Sequence, residues 1–150
     1  WLSLQPFLSN EFSNPQATAD GRAKQQLVAS GTDRAYKLAK QYKIKTAWGT
    51  DMLFDPKMTV NQGAILATMV RWYTPFEILK MATSDNAELL AMSGPRNPYP
   101  RVLGQIREGA YADLVLVEGN PLQDIQLVAD PDRNFLLIIK NGVVFKNTLK

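Results

Sequence analysis

The sequence has 150 residues, of which 45% are apolar, and this is enough for one packed globular domain with a sizeable core. Its net charge of +3 is too small to indicate nucleic-acid binding, and no ladder of aromatic residues is interleaved with the basic ones to stack on bases. The sequence contains neither cysteine nor histidine, which excludes disulfides, a thiolate nucleophile and a Ser-His-Asp triad.

No apolar run approaches the roughly 18 residues of a membrane span, so we expect no membrane contact. No signal peptide is visible. The compartment stays open, because a targeting segment upstream of Trp1 would not be seen.

The first fifty residues predict a β-α-β unit. The segment WLSLQPF is a strand candidate that ends at a proline, and IKTAW is a short, buried strand candidate. Residues 21–42 between them have a helical pattern that is interrupted near Ser30 and Gly31, so we expect two helices, the second capped by Thr32 or Asp33. Two strands joined through helices are predicted to lie parallel.

A helix is predicted from about Asn61 to Trp72. Ile65, Met69 and Trp72 share one face of it, and an aromatic and methionine stripe of this kind is more typical of a core than of a cofactor site.

The next segment, TPFEILKMAT, carries a clear helix start. Thr74 is an N-cap, Pro75 occupies the first helical position and Glu77 the third, which together predict a capping box. The segment SDNAELLAM predicts a further helix that begins at Ser84 or Asp85.

The character of the sequence changes after residue 93. Residues 93–104 contain three prolines and two glycines, which predicts a loop and a domain boundary between 1–93 and 94–150. Beyond it, ADLVLVEG predicts a strand buried on both faces, and FLLIIKNGVVFKN predicts a hairpin around the Asn-Gly pair of a type I′ turn. Three strands alone are marginally stable, so this part is expected to complete a larger sheet.

A lone carboxylate follows the second strand in KTAWGTDMLFDP. Because active sites of parallel α/β folds lie at the carboxyl ends of strands, Asp51 is a candidate metal ligand or base. The alternative is a turn in which its side chain bonds nearby N–H groups. Asp113 is a weaker candidate, and a structural hydrogen bond at the start of a strand explains it better.

Four segments together resemble the C-terminal part of the amidohydrolase superfamily, nearest to its imidazolonepropionase-like and Xaa-Pro-dipeptidase-like branch. They are GTD at the end of a strand, TPFEILKMATSDNAELLAM, LGQIREGAYADLVLVEGNPLQDI and IIKNGVVF. The resemblance covers nearly the whole chain. GTD alone is weakly specific, whereas the second and third segments at this separation are strongly specific. In the third segment, Gly104 and Gly109 are expected to form turns around a buried Ile106.

The resemblance implies an α/β fold class. Residues 1–93 would supply the last two β/α units of a (β/α)8 TIM barrel, with strands seven and eight. Residues 94–150 would supply the C-terminal strands of a small composite β-sandwich, built from both chain ends.

The resemblance also implies a chemistry: hydrolysis of amide or cyclic amide C–N bonds, as in dipeptidases, prolidases or imidazolonepropionases. The family holds one or two divalent metal ions, zinc being the metal expected here, and Asp51 matches its last metal ligand, which is also its proton shuttle. Met52, Leu53 and Phe54 follow in a loop that either contacts a dipeptide or other small-molecule substrate or packs under the next helix.

The absence of histidine limits the metal site that this chain could form. A zinc site needs about three protein ligands, and this chain offers one from the family motif. We therefore expect a C-terminal portion whose partner is the N-terminal part of the barrel, and which by itself holds no metal and is inactive. An alternative is a non-catalytic scaffold or self-association module, because unpaired strand edges and apolar faces favour homo-oligomers.

Overall fold

A computed structural model of the chain describes residues 2–3, 18–50 and 56–149. The fold is mixed α/β, with a pair of parallel strands, a helical middle region and a three-stranded antiparallel sheet. The strands are β1 (Leu2–Ser3), β2 (Thr46–Ala47), β3 (Leu114–Val117), β4 (Phe135–Lys140) and β5 (Val143–Asn147). The α-helices are α1 (Ala19–Gln41), α2 (Gln62–Ala67), α3 (Pro75–Lys80), α4 (Asn86–Ala91) and α5 (Pro131–Asn134).

Shorter helical segments connect these elements. They are four 3₁₀ segments (Pro56–Asn61, Thr68–Arg71, Gly94–Arg96 and Ile125–Ala129) and one π turn (Met81–Asp85). Within the described ranges, no helix is both long enough and apolar enough to cross a bilayer.

The predicted β-α-β unit is confirmed. β1 pairs in parallel with β2, with Leu2 opposite Thr46 and Ser3 opposite Ala47, and α1 lies between them in the sequence.

The predicted break within the first helical region is wrong, since α1 is a single helix of 23 residues. Its N-cap is Thr18, whose side chain accepts a hydrogen bond from the Gly21 N–H. Gly31 is accommodated because one glycine in an exposed helix costs only about 1 kcal/mol. The predicted cap Thr32 instead donates its hydroxyl to the Val28 carbonyl one turn earlier.

The core lies in the helical middle region. The predicted apolar stripe is confirmed: Ile65 and Met69 are fully buried, and Trp72 packs against the core. The buried cluster joins α1, this region and the 3₁₀ segment before α5, and its members are Tyr36, Leu66, Ala67, Met69, Tyr73, Ile78, Met81, Ile125 and Val128. The predicted single helix is divided into α2 and a 3₁₀ segment on each side of it.

The capping box of α3 is confirmed. The Thr74 hydroxyl accepts from the Glu77 N–H, and the Glu77 carboxylate accepts from the Thr74 N–H at 2.7 Å. The predicted new helix start at Ser84 or Asp85 is wrong. The helix continues from α3 through the π turn into α4, and Asp85 has helical dihedrals and no capping bond.

The antiparallel sheet has the order β3-β4-β5, and its hairpin is confirmed. Asn141 and Gly142 both have positive φ (48° and 79°), as the type I′ turn requires. Asp113 accepts from the Asn141 N–H at 2.6 Å, which is the structural role expected for it.

Two burial predictions in this part are wrong. Strand β3 is an edge strand of the described sheet, and Val115 and Leu116 on its two faces are 51% and 45% exposed. Ile106 is 90% exposed. An apolar sequence ensures burial only where a second layer covers it, and no described element covers both faces of β3.

Two glycines allow close backbone approaches between elements. A Cβ on Gly63 in α2 would lie 2.0 Å from the Val128 carbonyl oxygen. A Cβ on Gly104, which has φ +65°, would lie 2.5 Å from the Thr83 carbonyl in the π turn. Larger residues at these positions would therefore push the connected segments away from the helical core.

Substitution of two helical glycines by alanine should change stability in opposite directions. Gly31→Ala in α1 meets open space and should raise the free energy of unfolding by about 0.5–1 kcal/mol. Gly63→Ala should lower it by about 1–3 kcal/mol, because its methyl group collides with backbone. Urea unfolding of both variants is the measurement, and equal stabilisation by both would contradict the packing of α2 described above.

Candidate active site at the end of strand β2

Strand β2 is held at its beginning by short polar contacts. Thr46 and Ala47 are buried, and the Thr46 hydroxyl donates to the Ile44 carbonyl at 3.1 Å. The same hydroxyl lies 3.4 Å from the Tyr73 hydroxyl, so the strand is also linked to the buried cluster. Because burial raises the pKa of Tyr73, that phenol stays neutral around pH 7 and serves as a hydrogen-bonding group.

The carboxyl end of β2 is held by one side chain from α4. The Asn86 Oδ1 accepts from the Trp48 N–H, and the Asn86 Nδ2 donates to the Trp48 carbonyl, both at 2.9 Å. Trp48 is the first residue after β2. Its backbone N–H and C=O groups are therefore both hydrogen-bonded where the strand ends.

The principal candidate from the sequence lies just beyond this point. Asp51 follows Trp48 by three residues, and it lies outside the described residues, as do Met52, Leu53 and Phe54. Their assignment as metal ligand, proton shuttle and substrate loop stays a prediction. The structure describes the backbone that leads to Asp51, from β2 to Thr50.

An apolar cavity of about 830 Å³ adjoins the end of β2. It is lined by Trp48 and by residues of the core and the sheet, among them Leu66, Leu79, Val128 and Phe135. The Trp48 indole N–H is buried and has no acceptor among the described residues. The cavity is therefore mainly hydrophobic, and its lining also includes polar residues such as Gln62, Gln105 and Asp113.

A polar network fixes α1 against the turn before α3. Lys40 donates to the Trp72 carbonyl at 2.8 Å, lies 3.6 Å from the Glu77 carboxylate and sits 4.9 Å from the centre of the Tyr73 ring. Asp33, one of the two predicted helix caps, instead accepts from the Trp72 indole N–H at 2.7 Å. This network stabilises the side of the core from which β2 extends.

Two ionisable groups of this network have shifted pKa values. Burial acts to raise the pKa of Glu77, but the hydrogen bonds from Thr74 and the charge of Lys40 outweigh it, so the pKa is held below its ordinary value. Burial, with a smaller contribution from Tyr73, raises the pKa of Tyr36 far above its ordinary value of 10.0. Tyr36 is therefore a neutral core residue and no base at neutral pH.

No group of three acidic, histidine or cysteine side chains within the described ranges is placed to hold a metal ion. The sequence also lacks histidine and cysteine altogether. An aspartate after β2 would therefore need ligands from elsewhere in the protein to form a metal site.

The family model described as "Amidohydrolase family" matches residues 10–144. The chain belongs to the amidohydrolase family. Ochratoxinase from Aspergillus niger is 33% identical to it over 130 residues, which are 83% of this chain and 24% of that protein. This amidohydrolase chain thus spans about a quarter of the length of its curated relatives.

Solved structures of amidohydrolase relatives have the same fold over most of this chain. The crystal structure of A. niger ochratoxinase matches with a TM-score of 0.68 and 30% identity, over 87% of this chain and 28% of that one. A prolidase in complex with N-methylphosphonate-L-proline matches with a TM-score of 0.74 and 28% identity, over 88% of this chain and 30% of that one. The described part of this amidohydrolase chain therefore shares its mixed α/β fold with 28% and 30% of these two solved chains.

Sequence reasoning included Asn86 only as one residue of the family segment TPFEILKMATSDNAELLAM and gave it no role of its own. No local signal set its side chain apart, because a helix start was expected at Ser84 or Asp85, where polar residues of this type are common.

Replacement of the α3 cap should make stability less dependent on pH. A depressed folded pKa contributes stability above the unfolded pKa, near 4.5 for Glu77, and this contribution is lost as pH falls through the folded value. Thr74→Ala removes the hydroxyl that donates to the Glu77 carboxylate at 3.0 Å and accepts from the Glu77 N–H, whereas the backbone N–H of residue 74 stays. The substitution should lower the free energy of unfolding by about 1 kcal/mol at pH 7.

The measurement is urea unfolding of wild type and Thr74→Ala between pH 7 and pH 3, and the difference between them should shrink below about pH 4.5. Ser93→Ala, which removes another local side chain to backbone bond, is the control with no such trend expected. A Thr74→Ala difference that stays constant over this range would contradict the role of Glu77.

Proposed function

We propose that this chain is the C-terminal part of a metal-dependent hydrolase that cleaves amide C–N bonds. The observation that carries the proposal is the amidohydrolase family match over residues 10–144, which includes the end of β2 and the GTD motif after it. A prolidase and an ochratoxinase among its relatives favour the same class of reaction.

In this proposal the parallel β1-β2 pair corresponds to strands seven and eight of a (β/α)8 barrel. Residues 1–93 supply the last two β/α units, and residues 94–150 supply the C-terminal share of a small β-sandwich. The parallel pairing through α1 supports the first part, and the antiparallel sheet with its exposed edge strand β3 supports the second. Six further barrel strands would come from elsewhere in the protein.

Asp51 is the proposed catalytic residue of this chain. Its position after a buried parallel strand is where barrel enzymes place catalytic side chains, and a carboxylate suits both metal binding and proton transfer. It would accept a proton from the attacking water as the C–O bond forms. It would then return that proton to the leaving nitrogen as the C–N bond breaks.

A divalent metal, most simply zinc as one or two ions, fits this chain only in part. An aspartate is an accepted zinc ligand, but the described residues bring no group of three ligands together. Histidines of the N-terminal barrel strands are the proposed source of the others. The metal would supply a water with a pKa lowered to roughly 7.

The proposed substrates are small amides, with Xaa-Pro dipeptides first. The prolidase relative was solved with N-methylphosphonate-L-proline, a compound that carries a proline unit, and this favours the dipeptide class. The ochratoxinase relative and cyclic amides, such as those of imidazolonepropionases, define the alternatives. Met52, Leu53 and Phe54 would form the apolar wall of the substrate loop in either case.

Asp51→Asn in the full-length protein should lower kcat by roughly 100- to 10,000-fold, because the amide cannot accept the proton. The assay measures release of proline from an Xaa-Pro dipeptide, with ochratoxin as a second substrate. Asp113→Asn is the matched control: its amide oxygen can still accept from Asn141, so activity should stay within about twofold. Near wild-type turnover by Asp51→Asn would eliminate the proposed role of Asp51.

A self-association module is a second candidate, favoured by the exposed edge of the sheet. Val115 and Leu116 on β3 present apolar side chains together with unpaired strand backbone.

Sedimentation of the 150-residue chain tests the self-association module. Self-association through β3 predicts a dimer that Val115→Lys dissociates by at least about tenfold in dissociation constant, whereas Lys24→Ala on the exposed face of α1 leaves it unchanged. A stable monomer would refute the module.

A further inference from the structure

We propose that Asn86 is a positioning residue that sets the path of the chain from β2 toward Asp51. The inference rests on the proposed function for its catalytic consequence. Its structural basis, the pair of bonds between Asn86 and Trp48, belongs to the described residues alone.

The Asn86 side-chain amide makes the hydrogen bonds that one residue of a neighbouring strand would make to β2. A carboxamide carries an acceptor and donors side by side, as the backbone of a paired strand does. Asn86 uses both toward a single residue, accepting from the Trp48 N–H and donating to the Trp48 carbonyl. Both bonds are partly buried, so losing them would leave two backbone groups without partners at a point that water reaches poorly.

The π turn explains how a helical residue reaches this position. An extra residue in a helix rotates all later side chains by about 100°, the share of one residue in a 3.6-residue turn. The turn Met81–Asp85 directly precedes Asn86 and packs against β2. Without it, Asn86 would point along a different face of α4.

Several contacts hold the π turn in place. The Thr83 hydroxyl donates to the Leu79 carbonyl at 2.7 Å, a back-bond that bends helices. Gly104 packs directly against the Thr83 carbonyl. An ion pair between Lys45 and Glu88 forms a second connection from α4 to the residues beside β2. The helical run that presents Asn86 is therefore held by one bond within it and by two contacts from other segments, those of Gly104 and Lys45.

The connection to catalysis is short. Asp51 follows Trp48 by three residues, which span at most about 11 Å of extended chain. A catalytic side chain must be held within about 0.5 Å of its productive position. A displacement of the Trp48 backbone would therefore change the placement of Asp51 more readily than it would change the fold.

The structural part is tested by hydrogen exchange of the peptide that contains residues 46–50. Asn86→Ala in the full-length protein should raise the exchange rate of the Trp48 amide at least about tenfold, because its acceptor is lost. The matched control is Asn134→Ala, which removes a partly buried side-chain bond to the Leu127 carbonyl at 2.9 Å without touching β2. Equal protection of residues 46–50 in Asn86→Ala and wild type would overturn the inference.

The catalytic part is tested by kinetics with the same Xaa-Pro dipeptide and ochratoxin. Asn86→Ala should lower kcat by roughly 10- to 100-fold with KM nearly unchanged, whereas Asn134→Ala keeps kcat within about twofold. Adding Asn86→Ala to Asp51→Asn should cause almost no further loss, since Asn86 acts through Asp51. Full additivity of the two losses would overturn the positioning role.

Failure of the inference is distinguishable from failure of the proposed function. If Asp51→Asn abolishes turnover and Asn86→Ala does not, the function stands and the inference is wrong. If neither substrate is cleaved by wild type, the proposed substrates are wrong, and the exchange experiment alone decides the role of Asn86. Should Asn86→Ala fold poorly, Asn86→Asp serves instead, since it keeps the acceptor for the Trp48 N–H and should cause the smaller loss.

Discussion

The described fold depends on satisfying the backbone of β2, a strand of only two buried residues. Buried N–H and C=O groups need partners, and so short a strand supplies few of its own. β1 provides a parallel neighbour, and the Asn86 amide provides a second one where the strand ends. The π turn before α4 and the close approach of Gly104 follow from this requirement, because both orient or support the segment that presents Asn86.

The aromatic cluster gives β2 its rigid support. The Tyr36 ring on α1 packs against the Trp72 ring with centroids 4.5 Å apart and a tilt of 31°, and it meets the Tyr73 ring edge-on at 5.7 Å. Lys40 and Asp33 then use the polar atoms at the rim of this cluster, so that α1 cannot shift without breaking several contacts together. Helix α1 has a poor apolar stripe, and a few large side chains fix its position. Because β2 follows α1 closely in the sequence, these contacts also fix the position of β2.

Local signals in the sequence predicted local structure well. The capping box at Thr74 and the turn at Asn141 depend on neighbouring residues only, and both were predicted correctly. The break expected at Gly31 and the burial expected for Ile106 and Val115 failed, because each depends on whether other parts of the chain cover the position. The resemblance of whole segments to a family does not depend on local periodicity, and it correctly predicted the amidohydrolase family. The role of Asn86 was not predicted for the same reason, since its partner lies 38 residues away.

Two features of the described residues, an exposed strand edge and a buried N–H without an acceptor, favour the proposed arrangement. The edge strand β3 exposes apolar side chains and strand backbone. Edge strands that face water usually carry charged residues or are covered by another segment. The Trp48 indole N–H is buried without an acceptor among the described residues, and such a group costs about 1–3 kcal/mol unless a partner is supplied. Both features lie where the proposed sandwich and barrel require additional strands, beside β3 and at the end of β2. Contacts with the rest of an amidohydrolase would satisfy them together, whereas an isolated scaffold would satisfy only the first.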